Sequence, residues 1–410
     1  MIKLSNFRFL QDGNSRKFSC SVEGGPFPDQ LFFECDANAL PKLSAPSGNF
    51  ALVGLLYPAM ALGEDLEIDA PISPLLLYTI KHDIQSLLID YQPRLKRIKI
   101  SATSVTVVPL ETLSCVATGF SAGVDTFTTL SLFTANHVPE SLRLTSLTTF
   151  DVGAMGRFDV SSEIFEKYSR RVRDYAKEND FMYQTARSNL DHFYRAVNAN
   201  FQTTHVVRNA AAALVFEDIY SRYLYSSTYP YRSINFKNDD MSYIEPMLLP
   251  LLSTETLQFA SAGAGLARVQ KTEIVSTSQS AMTMLDVCVS PAAVRMKSNS
   301  PNCSKCWKCS RMMVNLDVLG RLDDFADVFD LEYYHSNKNH ALLTVFKSAQ
   351  KGKPADQDLI ALMRERNFNF KISKNAMLRL RPRQLSTRVK NILSKVPNLK
   401  AFYRKIRGRT

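Results

Sequence analysis

Residues 113–126 read LSCVATGFSAGVDT, and this stretch establishes the architecture of the central part of the chain. Residues 113–118 form a short apolar run, which predicts a buried strand. A turn of small residues follows from Gly119 to Gly123, and a helix is predicted from Val124 to Phe133. Such a strand, turn and helix bring backbone N–H groups together, and phosphate oxygens bind to donors grouped in this way.

The candidate phosphate loop is the segment Ser121, Ala122, Gly123, Val124, Asp125 and Thr126. Glycine lets a ligand approach the backbone closely, and the two hydroxyl groups can donate hydrogen bonds to phosphate. The carboxylate of Asp125 is placed to orient the loop or to help bind Mg²⁺. A small-residue turn after a strand often binds no ligand, so the order of strand, loop and helix carries this interpretation.

Strands and helices alternate after the loop. We predict strands at residues 144–150 and 221–226 and helices at residues 161–177 and 206–220. This alternation is typical of a mostly parallel sheet with helices on both faces. The fold class expected for a domain spanning residues 111–330 is therefore α/β.

Residues 1–110 have a different pattern. Strands are predicted at residues 30–35, 50–54 and 97–101, and an amphipathic helix is predicted at residues 73–89. Nothing in this segment forms a catalytic constellation. We expect a small N-terminal α+β domain.

The candidate loop resembles the Ser-Gly-Gly-x-Asp-Ser loop of the ATP-pyrophosphatase enzymes, the PP-loop superfamily with its HUP-like fold. Those enzymes split ATP between the α and β phosphates, adenylate a carboxylate or carbonyl oxygen and release pyrophosphate. Ala122 stands where the superfamily has Gly, and Thr126 stands where it has Ser. Thr keeps the hydroxyl group, and Ala fits such a loop if its φ is negative.

Three further segments resemble the 7-cyano-7-deazaguanine synthase family in the same order. They are residues 149–153 (TFDVG), 207–209 (VRN) and 271–274 (KTEI). Together with the loop they extend the resemblance over residues 113–315. Each match is short, and the order of the four is what makes the resemblance specific.

The resemblance implies roles for particular residues. Asp125, Arg208 and Lys271 would act in catalysis, and Asp151 would help to bind the nucleotide. Each residue also has an ordinary alternative. Asp151 can cap a helix, and Arg208 and Lys271 can lie on a solvated surface.

Four of the seven cysteines fall within 22 residues, at Cys288, Cys303, Cys306 and Cys309. In a reducing compartment such a cluster is more often a metal site than a set of disulfides. Four thiolates with Cys-x-x-Cys spacing suit tetrahedral Zn²⁺, and the synthase family has a similar set that holds structural zinc. An iron–sulfur cluster is the alternative, followed by a catalytic thiol. Lys305, Lys308 and Arg311 would offset the thiolate charge.

The positive charge of the chain is concentrated at its end. Residues 371–410 contain thirteen Lys and Arg and no acidic residue, so the net charge of +11 falls to about −2 (11 − 13) for residues 1–370. This basic tail belongs to a C-terminal extension, residues 331–410, with a loop predicted at residues 350–358. The tail suits an anionic membrane surface, nucleic acid or a partner protein, or it is a solubilising extension.

The function expected from the loop and the resemblance is that of an ATP-dependent ligase. ATP would be cleaved to AMP and pyrophosphate, and the acyl acceptor would be a deazapurine, a protein or a sugar. The alternatives are a component of an anti-phage defence system acting on a protein or nucleic acid, an enzyme of surface-polysaccharide modification, and a non-catalytic nucleotide-binding protein. The N-terminus carries no secretory signal, and the apolar stretch at residues 52–62 is too short to span a bilayer, so we expect a cytoplasmic protein. The basic tail would allow membrane association.

Overall fold

The computed structural model of the protein describes residues 1–12, 15–36, 47–106, 115–156, 158, 161–289 and 300–369. The basic tail at residues 371–410, and every interpretation that depends on it, lies outside these residues. Among the described residues, no helix combines the length and the apolar character that a membrane span requires.

The centre of the molecule is one ten-stranded sheet. Its strands are β1 (Ile2–Asp12), β2 (Ser15–Glu23), β3 (Gln30–Asp36), β4 (Leu66–Ile72), β5 (Ile100–Val105), β6 (Cys115–Gly119), β7 (Ser146–Asp151), β8 (Met182–Ser188), β9 (Tyr220–Ser226) and β10 (Gln258–Ala262). The spatial order is β10-β9-β6-β7-β8-β3-β2-β1-β4-β5. Six of the nine strand pairs are parallel, and the antiparallel ones are β8–β3, β3–β2 and β2–β1. The predicted mostly parallel sheet is confirmed.

The half of the sheet that follows residue 114 is parallel throughout. If its strands are counted along the chain from β6, their spatial order from β8 to β10 is 3-2-1-4-5. The order in which successive strands are added therefore reverses between β6 and β9: β7 and β8 lie on one side of β6, and β9 and β10 lie on the other. In open α/β sheets, ligands bind outside the carboxyl ends of the strands at such a reversal. The candidate phosphate loop follows β6 at this position.

The N-terminal segment continues the same sheet. β3 pairs with β8 in antiparallel register, with Phe33 opposite Ser188 and Cys35 opposite Ala186. One hydrophobic core also spans both parts, because α1 (Asn49–Leu62) packs against α7 (His205–Leu214). Residues 1–106 thus add five strands to the parallel half.

The remaining helices surround the sheet. They are α2 (Pro74–Thr79), α3 (Gln85–Tyr91), α4 (Val124–Phe133), α5 (Ser162–Glu178), α6 (Leu190–Ala196), α8 (Glu245–Leu251), α9 (Arg268–Val275), α10 (Gln279–Met284), α11 (Trp307–Val318), α12 (Leu331–Gln350) and α13 (Pro354–Glu365). A π-helical turn at Ile80–Ile84 joins α2 to α3, which confirms the predicted helix at residues 73–89.

Helices cover both faces of the parallel half. Neighbouring residues of one strand point to opposite faces, and Val116 and Ala117 of β6 belong to two different hydrophobic cores. The first core contains α1 and α7, and the second contains residues of α4, α5, α11, α12 and α13. The C-terminal helices up to residue 365 are therefore packed parts of the domain.

Three predicted elements are wrong or too long. Residues 50–54 were expected as a strand and lie in α1, which is buried on all sides, so its sequence shows no polar face to reveal the helical period. The helix expected at residues 206–220 ends at Leu214, and β9 begins at Tyr220. Residues 350–358 were expected as a loop, but α12 reaches Gln350 and α13 begins at Pro354, a residue that suits the first turn of a helix.

Candidate functional site

The candidate phosphate loop, called the phosphate loop below, connects β6 to α4, and its predicted place between a strand and a helix is confirmed. The helix spans Val124–Phe133, and its N-cap, Gly123, has no side chain to occupy the free N–H groups of the first turn. Exposure alternates along the loop, because Ser121 is exposed and Gly123 and Asp125 are half-buried. Ala122, Val124 and Thr126 point inward and are buried. The loop therefore presents Ser121, Gly123 and Asp125 to the site.

The backbone conformation of Ala122 differs from the one expected from the sequence. Alanine was expected to fit only with a negative φ, and its φ is +50°. This is the left-handed region, which costs a residue with a Cβ about 1–2 kcal/mol and costs glycine little. The backbone N–H of Asp286 donates to the carbonyl oxygen of Ala122 at 2.8 Å and fixes the loop at this point. The loop thus makes, at an alanine, a turn that glycine adopts more easily.

Asp125 binds two cationic side chains. Arg268 Nη2 lies 3.0 Å from its Oδ2, and Lys271 Nζ lies 3.2 Å from its Oδ1. Both cations come from the first turns of α9, and their spacing of three residues places them on one helix face. Each oxygen of Asp125 thus accepts from one cation, and the carboxylate is 22% exposed. It orders the two cations beside the loop.

Lys271 is a buried cation rather than a surface lysine. It is 1% exposed, and it donates to the carbonyl oxygen of Ser227 as well as to Asp125. Burial lowers the pKa of its ammonium group, and the charge of Asp125 opposes that shift. Glu245 is a buried carboxyl group that interacts with the charge of Lys271. Burial raises the pKa of Glu245 to about 7, and Ser261 Oγ donates to Glu245 Oε1 at 2.6 Å.

Two more cationic side chains, Lys308 and Arg311 of α11, interact with the charge of Arg268. The pKa of Lys308 is lowered by desolvation and by the positive charge of Arg268, although its side chain keeps solvent access. The pKa of Arg311 is lowered for the same two reasons, while its bond to Asp356 at 2.8 Å opposes the shift. Lys308 is therefore a solvent-accessible cation near Arg268 at the edge of this site.

Asp151 ends β7, on the strand next to the phosphate loop. It is buried and accepts from Ser161 Oγ, and Arg187 Nε lies 3.6 Å away. Burial raises the pKa of its carboxyl group, and the bonds from Ser161 and Arg187 work against that rise. Asp151 thus bonds to Ser161, Arg187 and the backbone of Gly153, and none of these three residues belongs to the candidate loop.

Arg208 lies in the interior, 0% exposed. Its guanidinium donates to Asp191 Oδ1 at 2.7 Å, and its other acceptors are Thr204 Oγ1 and the carbonyl oxygens of Val152 and Ala199. The ring of Tyr194 lies 4.0 Å from the guanidinium carbon. These contacts favour a structural role for Arg208 over the catalytic role implied by the resemblance.

The four clustered cysteines meet in space, as predicted. The sulfur atoms of Cys288, Cys303, Cys306 and Cys309 all lie within 4.8 Å of one another. Four thiolates around one tetrahedral Zn²⁺ would be about 3.8 Å apart, given Zn–S bonds of about 2.3 Å. The donor set and its spacing therefore fit a metal such as zinc. We call residues 285–288 and 302–309 the metal knuckle.

Backbone donors already point at these sulfur atoms. The N–H of Cys306 lies 3.3 Å from the Cys303 sulfur, and the N–H of Cys309 lies 3.5 Å from the Cys306 sulfur. Such bonds favour the ionised form of a thiol, which is the form that binds metal. Two of the three cations expected to offset the charge of the thiolates have other contacts. Arg311 binds Asp356, and Lys305 lies over the ring of Tyr333.

Sequence reasoning missed Arg268, which contacts Asp125 directly. A signal was present, because Arg268 precedes Lys271 by three residues and three-residue spacing places both on one helix face. It also missed Asn302, whose side chain bonds join the two arms of the metal knuckle. Nothing in the local sequence distinguishes that asparagine from a turn residue.

Comparison with known proteins gives no match. No family model fits this chain, and neither a curated protein nor a solved structure is similar enough to it to count as a relative. The functional argument therefore rests on the residues of the site and their geometry.

Proposed function

We propose that the protein binds ATP at the carboxyl edge of β6 and β9 and cleaves it to AMP and pyrophosphate. The observation that carries this proposal is the position of the phosphate loop. The loop lies where strand order reverses, begins a helix, and faces Arg268 and Lys271 across Asp125. A helix N-terminus and adjacent cations are the features that bind the phosphates of a nucleotide.

Each group would have a defined task in this reaction. Ser121 and the N–H groups at Gly123 would hold phosphate oxygens, while Arg268 and Lys271 would balance the charge of the departing pyrophosphate. An acyl oxygen of the acceptor attacks the α-phosphorus, the bond to the bridging oxygen breaks, and pyrophosphate leaves with that electron pair. Ammonia or another nucleophile then displaces AMP. Mg²⁺ in nucleotide sites is bound largely through the substrate phosphates, so it would arrive with ATP.

The acceptor belongs to one of the three classes that the resemblance implies: a deazapurine, a protein or a sugar. A protein target would agree with a role in anti-phage defence, and a sugar target with polysaccharide modification. The described residues favour none of the three.

Nucleotide binding without turnover is the second candidate. Two observations favour it: Ala122 has replaced the loop glycine in a left-handed conformation, and Asp125 is already bound by two cations. Pyrophosphate release from ATP by the wild-type protein would distinguish an enzyme from a protein that only binds.

For the metal knuckle we propose structural zinc. Purified protein is expected to carry one zinc ion per chain, as one group of four thiols implies. Cys306→Ser is expected to lower the free energy of unfolding, because a structural metal contributes directly to folding. Elemental analysis that finds iron, or neither metal, would contradict this assignment.

Substitution of Arg268 tests the nucleotide site. Arg268→Ala removes a charged donor from the site, and we expect calorimetry to show a 10- to 100-fold weaker affinity for pyrophosphate and ATP, about 1.5–3 kcal/mol. The matched control is Arg232→Ala, because Arg232 is an exposed arginine paired with Asp358. The control is expected to bind like the wild type.

The same titrations can contradict the proposal. If wild-type protein gives no heat of binding with ATP, pyrophosphate or AMP, the loop is not a nucleotide site. If Arg268→Ala and Arg232→Ala weaken binding equally, the effect is one of net charge, and the cluster around Asp125 is not the binding site.

A further inference from the structure

Asp286 connects the metal knuckle to the phosphate loop. Its N–H donates to the carbonyl oxygen of Ala122 at 2.8 Å, and its Oδ1 accepts from the N–H of Cys288 at 3.1 Å. A Cβ on Gly123 would lie 3.6 Å from the carbonyl oxygen of Asp286, so the two segments are in contact. One residue thus bonds to the loop and to the first metal ligand.

Asn302 holds the two arms of the knuckle together. Its Oδ1 accepts from the N–H of Val287 at 2.9 Å, and its Nδ2 donates to the carbonyl oxygens of Leu285 at 2.6 Å and Val328 at 3.1 Å. The arm that contains Asp286 is therefore fixed to the arm that contains the other three cysteines. A movement of one arm would be transmitted to the other.

The third connection runs through α11. Cys306 caps this helix and Cys309 lies buried in its first turn. The helix packs against α9, which carries Arg268 and Lys271, and Lys308 extends from α11 towards the same charges. The ligands of the metal and the cations of the phosphate site therefore belong to packed, neighbouring helices.

A metal bound by the four cysteines would add a second link between the two arms, beside the bonds of Asn302. Four thiolates within 4.8 Å of one another repel unless a cation lies between them, or else they must take up protons. Without the metal, the arm of residues 285–288 would lose one attachment to residues 302–309, and the bonds of Asn302 would remain. The hydrogen bond from Asp286 that fixes Ala122 in its left-handed conformation would then be held less firmly.

We propose that the metal bound by the four cysteines positions the phosphate loop, so that metal occupancy and nucleotide affinity are coupled. This inference rests on the proposed nucleotide-binding function of the loop. Coupling between two sites is reciprocal, so nucleotide must retain the metal as strongly as the metal favours nucleotide. Asp286 is a positioning residue in this scheme, since it touches the loop and not the ligand.

The first test compares zinc-loaded and metal-free protein, both as the full chain, by calorimetry with ATP. Circular dichroism confirms that the metal-free form is folded. Couplings of this kind are typically about 5- to 150-fold, and we expect ATP affinity to fall at least five-fold when zinc is removed. Equal affinity of the two folded forms would overturn the coupling and leave the nucleotide function intact. Absence of ATP binding in both forms would instead reject the nucleotide function.

The second test uses only the folded, zinc-loaded protein. The rate of zinc release to a coloured chelator is measured with and without ATP, and ATP is expected to slow it several-fold. ATP itself binds zinc, so Arg268→Ala is the control, at an ATP concentration that saturates the wild type only. An identical ATP effect on both proteins would overturn the coupling even if metal-free protein unfolds.

A third measurement separates positioning from general stability. Asp286→Ala keeps all four cysteines and removes the acceptor for the Cys288 N–H. We expect it to retain zinc, to bind ATP at least five-fold more weakly, and to lose the ATP effect on zinc release. The control, Asp174→Ala, makes the same charge change on an exposed position of α5 and should behave like the wild type. Wild-type ATP affinity in Asp286→Ala would remove Asp286 from the pathway and contradict the proposal.

Discussion

The molecule contains two carboxylate–arginine clusters that differ in what surrounds them. In the first, Arg208 and Asp191 lie 2.7 Å apart at 0% and 5% side-chain exposure, and carbonyl oxygens and a hydroxyl group accept from the remaining donors. In the second, Arg268 and Asp125 lie 3.0 Å apart at 22% exposure each, at the mouth of the phosphate loop. Both clusters contain residues that the sequence resemblance marked for catalysis.

The difference shows that a motif match does not by itself identify a ligand site. A guanidinium whose donors are bound inside the protein stabilises the fold, and one that keeps solvent access can exchange a protein contact for a phosphate contact. We call these the closed cluster (Asp191 and Arg208) and the open cluster (Asp125, Arg268 and Lys271). Two measurements, at Arg208 and at Ala122, test this distinction. A third, at Glu217, tests whether burial also controls a carboxyl group outside both clusters.

The largest effect is expected at the closed cluster. Arg208→Ala removes the buried cation that binds Asp191 Oδ1, and breaking a buried pair in this way costs about 3–5 kcal/mol of unfolding free energy. Urea denaturation measures this loss. The matched control is Arg195→Ala, because Arg195 bonds to the same carboxylate from a position with 55% side-chain exposure and should cost about 1 kcal/mol or less.

If Arg208→Ala instead folds with wild-type stability and loses ATP affinity, the closed cluster is a ligand site. In that case Arg208 would have the catalytic role that the resemblance implies, and burial would not distinguish a structural arginine from one that binds a ligand.

A smaller effect is expected at Glu217, a buried carboxyl group near the N-terminus of α1. Asn49 Nδ2 donates to it at 2.9 Å and Ser47 Oγ donates to it as well, while burial raises its pKa to about 7 from the usual 4.5. The folded protein therefore binds this proton more tightly than the unfolded chain does. Its contribution to stability is complete below about pH 4.5 and is lost as the pH rises through 7.

Glu217→Gln should remove this part of the pH dependence. We expect the free energy of unfolding of the wild type to fall between pH 5 and pH 8, and that of the variant to fall less. The exposed residue Glu166 in α5 provides the control, as Glu166→Gln should leave the slope unchanged. Equal slopes in all three proteins would mean that burial does not control the ionisation of Glu217.

The smallest effect is expected in the loop of the open cluster. Ala122→Gly relieves the cost of a left-handed φ and adds the greater backbone entropy of glycine, so the net gain in unfolding free energy is about 1 kcal/mol or less. If the loop binds nucleotide as proposed, ATP affinity should be equal or higher, since glycine adopts this conformation without strain. Ala122→Val, with a branched side chain in the same conformation, should lose stability. A stabilising valine would show that the loop is not held in this conformation.

Periodicity and residue type were sufficient for several elements. The helix predicted from Val124 to Phe133 is confirmed at both ends, and the strand predicted at residues 221–226 lies within β9, Tyr220–Ser226. The meeting of four cysteines also followed from their spacing. These features depend on contacts between residues that are close in the chain, and local sequence encodes such contacts directly.

Features that depend on distant partners were not predicted. α1 is apolar all round, so its sequence could not distinguish a buried helix from a strand. The junction of β3 with β8 joins residues about 150 positions apart in the chain, and no local pattern specifies it. The same holds for Arg268, whose role appears only when α9 is placed against the phosphate loop.

The sequence by itself determined the α/β class, the loop at the start of α4 and the cluster of four cysteines that could hold a metal, because each is set by a short run of residue types. Only the tertiary structure decided which charged residues face solvent and which lie inside. Burial is a property of the assembled sheet and its helices: it placed Arg208 among carbonyl oxygens and left Arg268 beside the loop. That difference in solvation, and not residue type, separates an arginine that stabilises the fold from one that can bind phosphate.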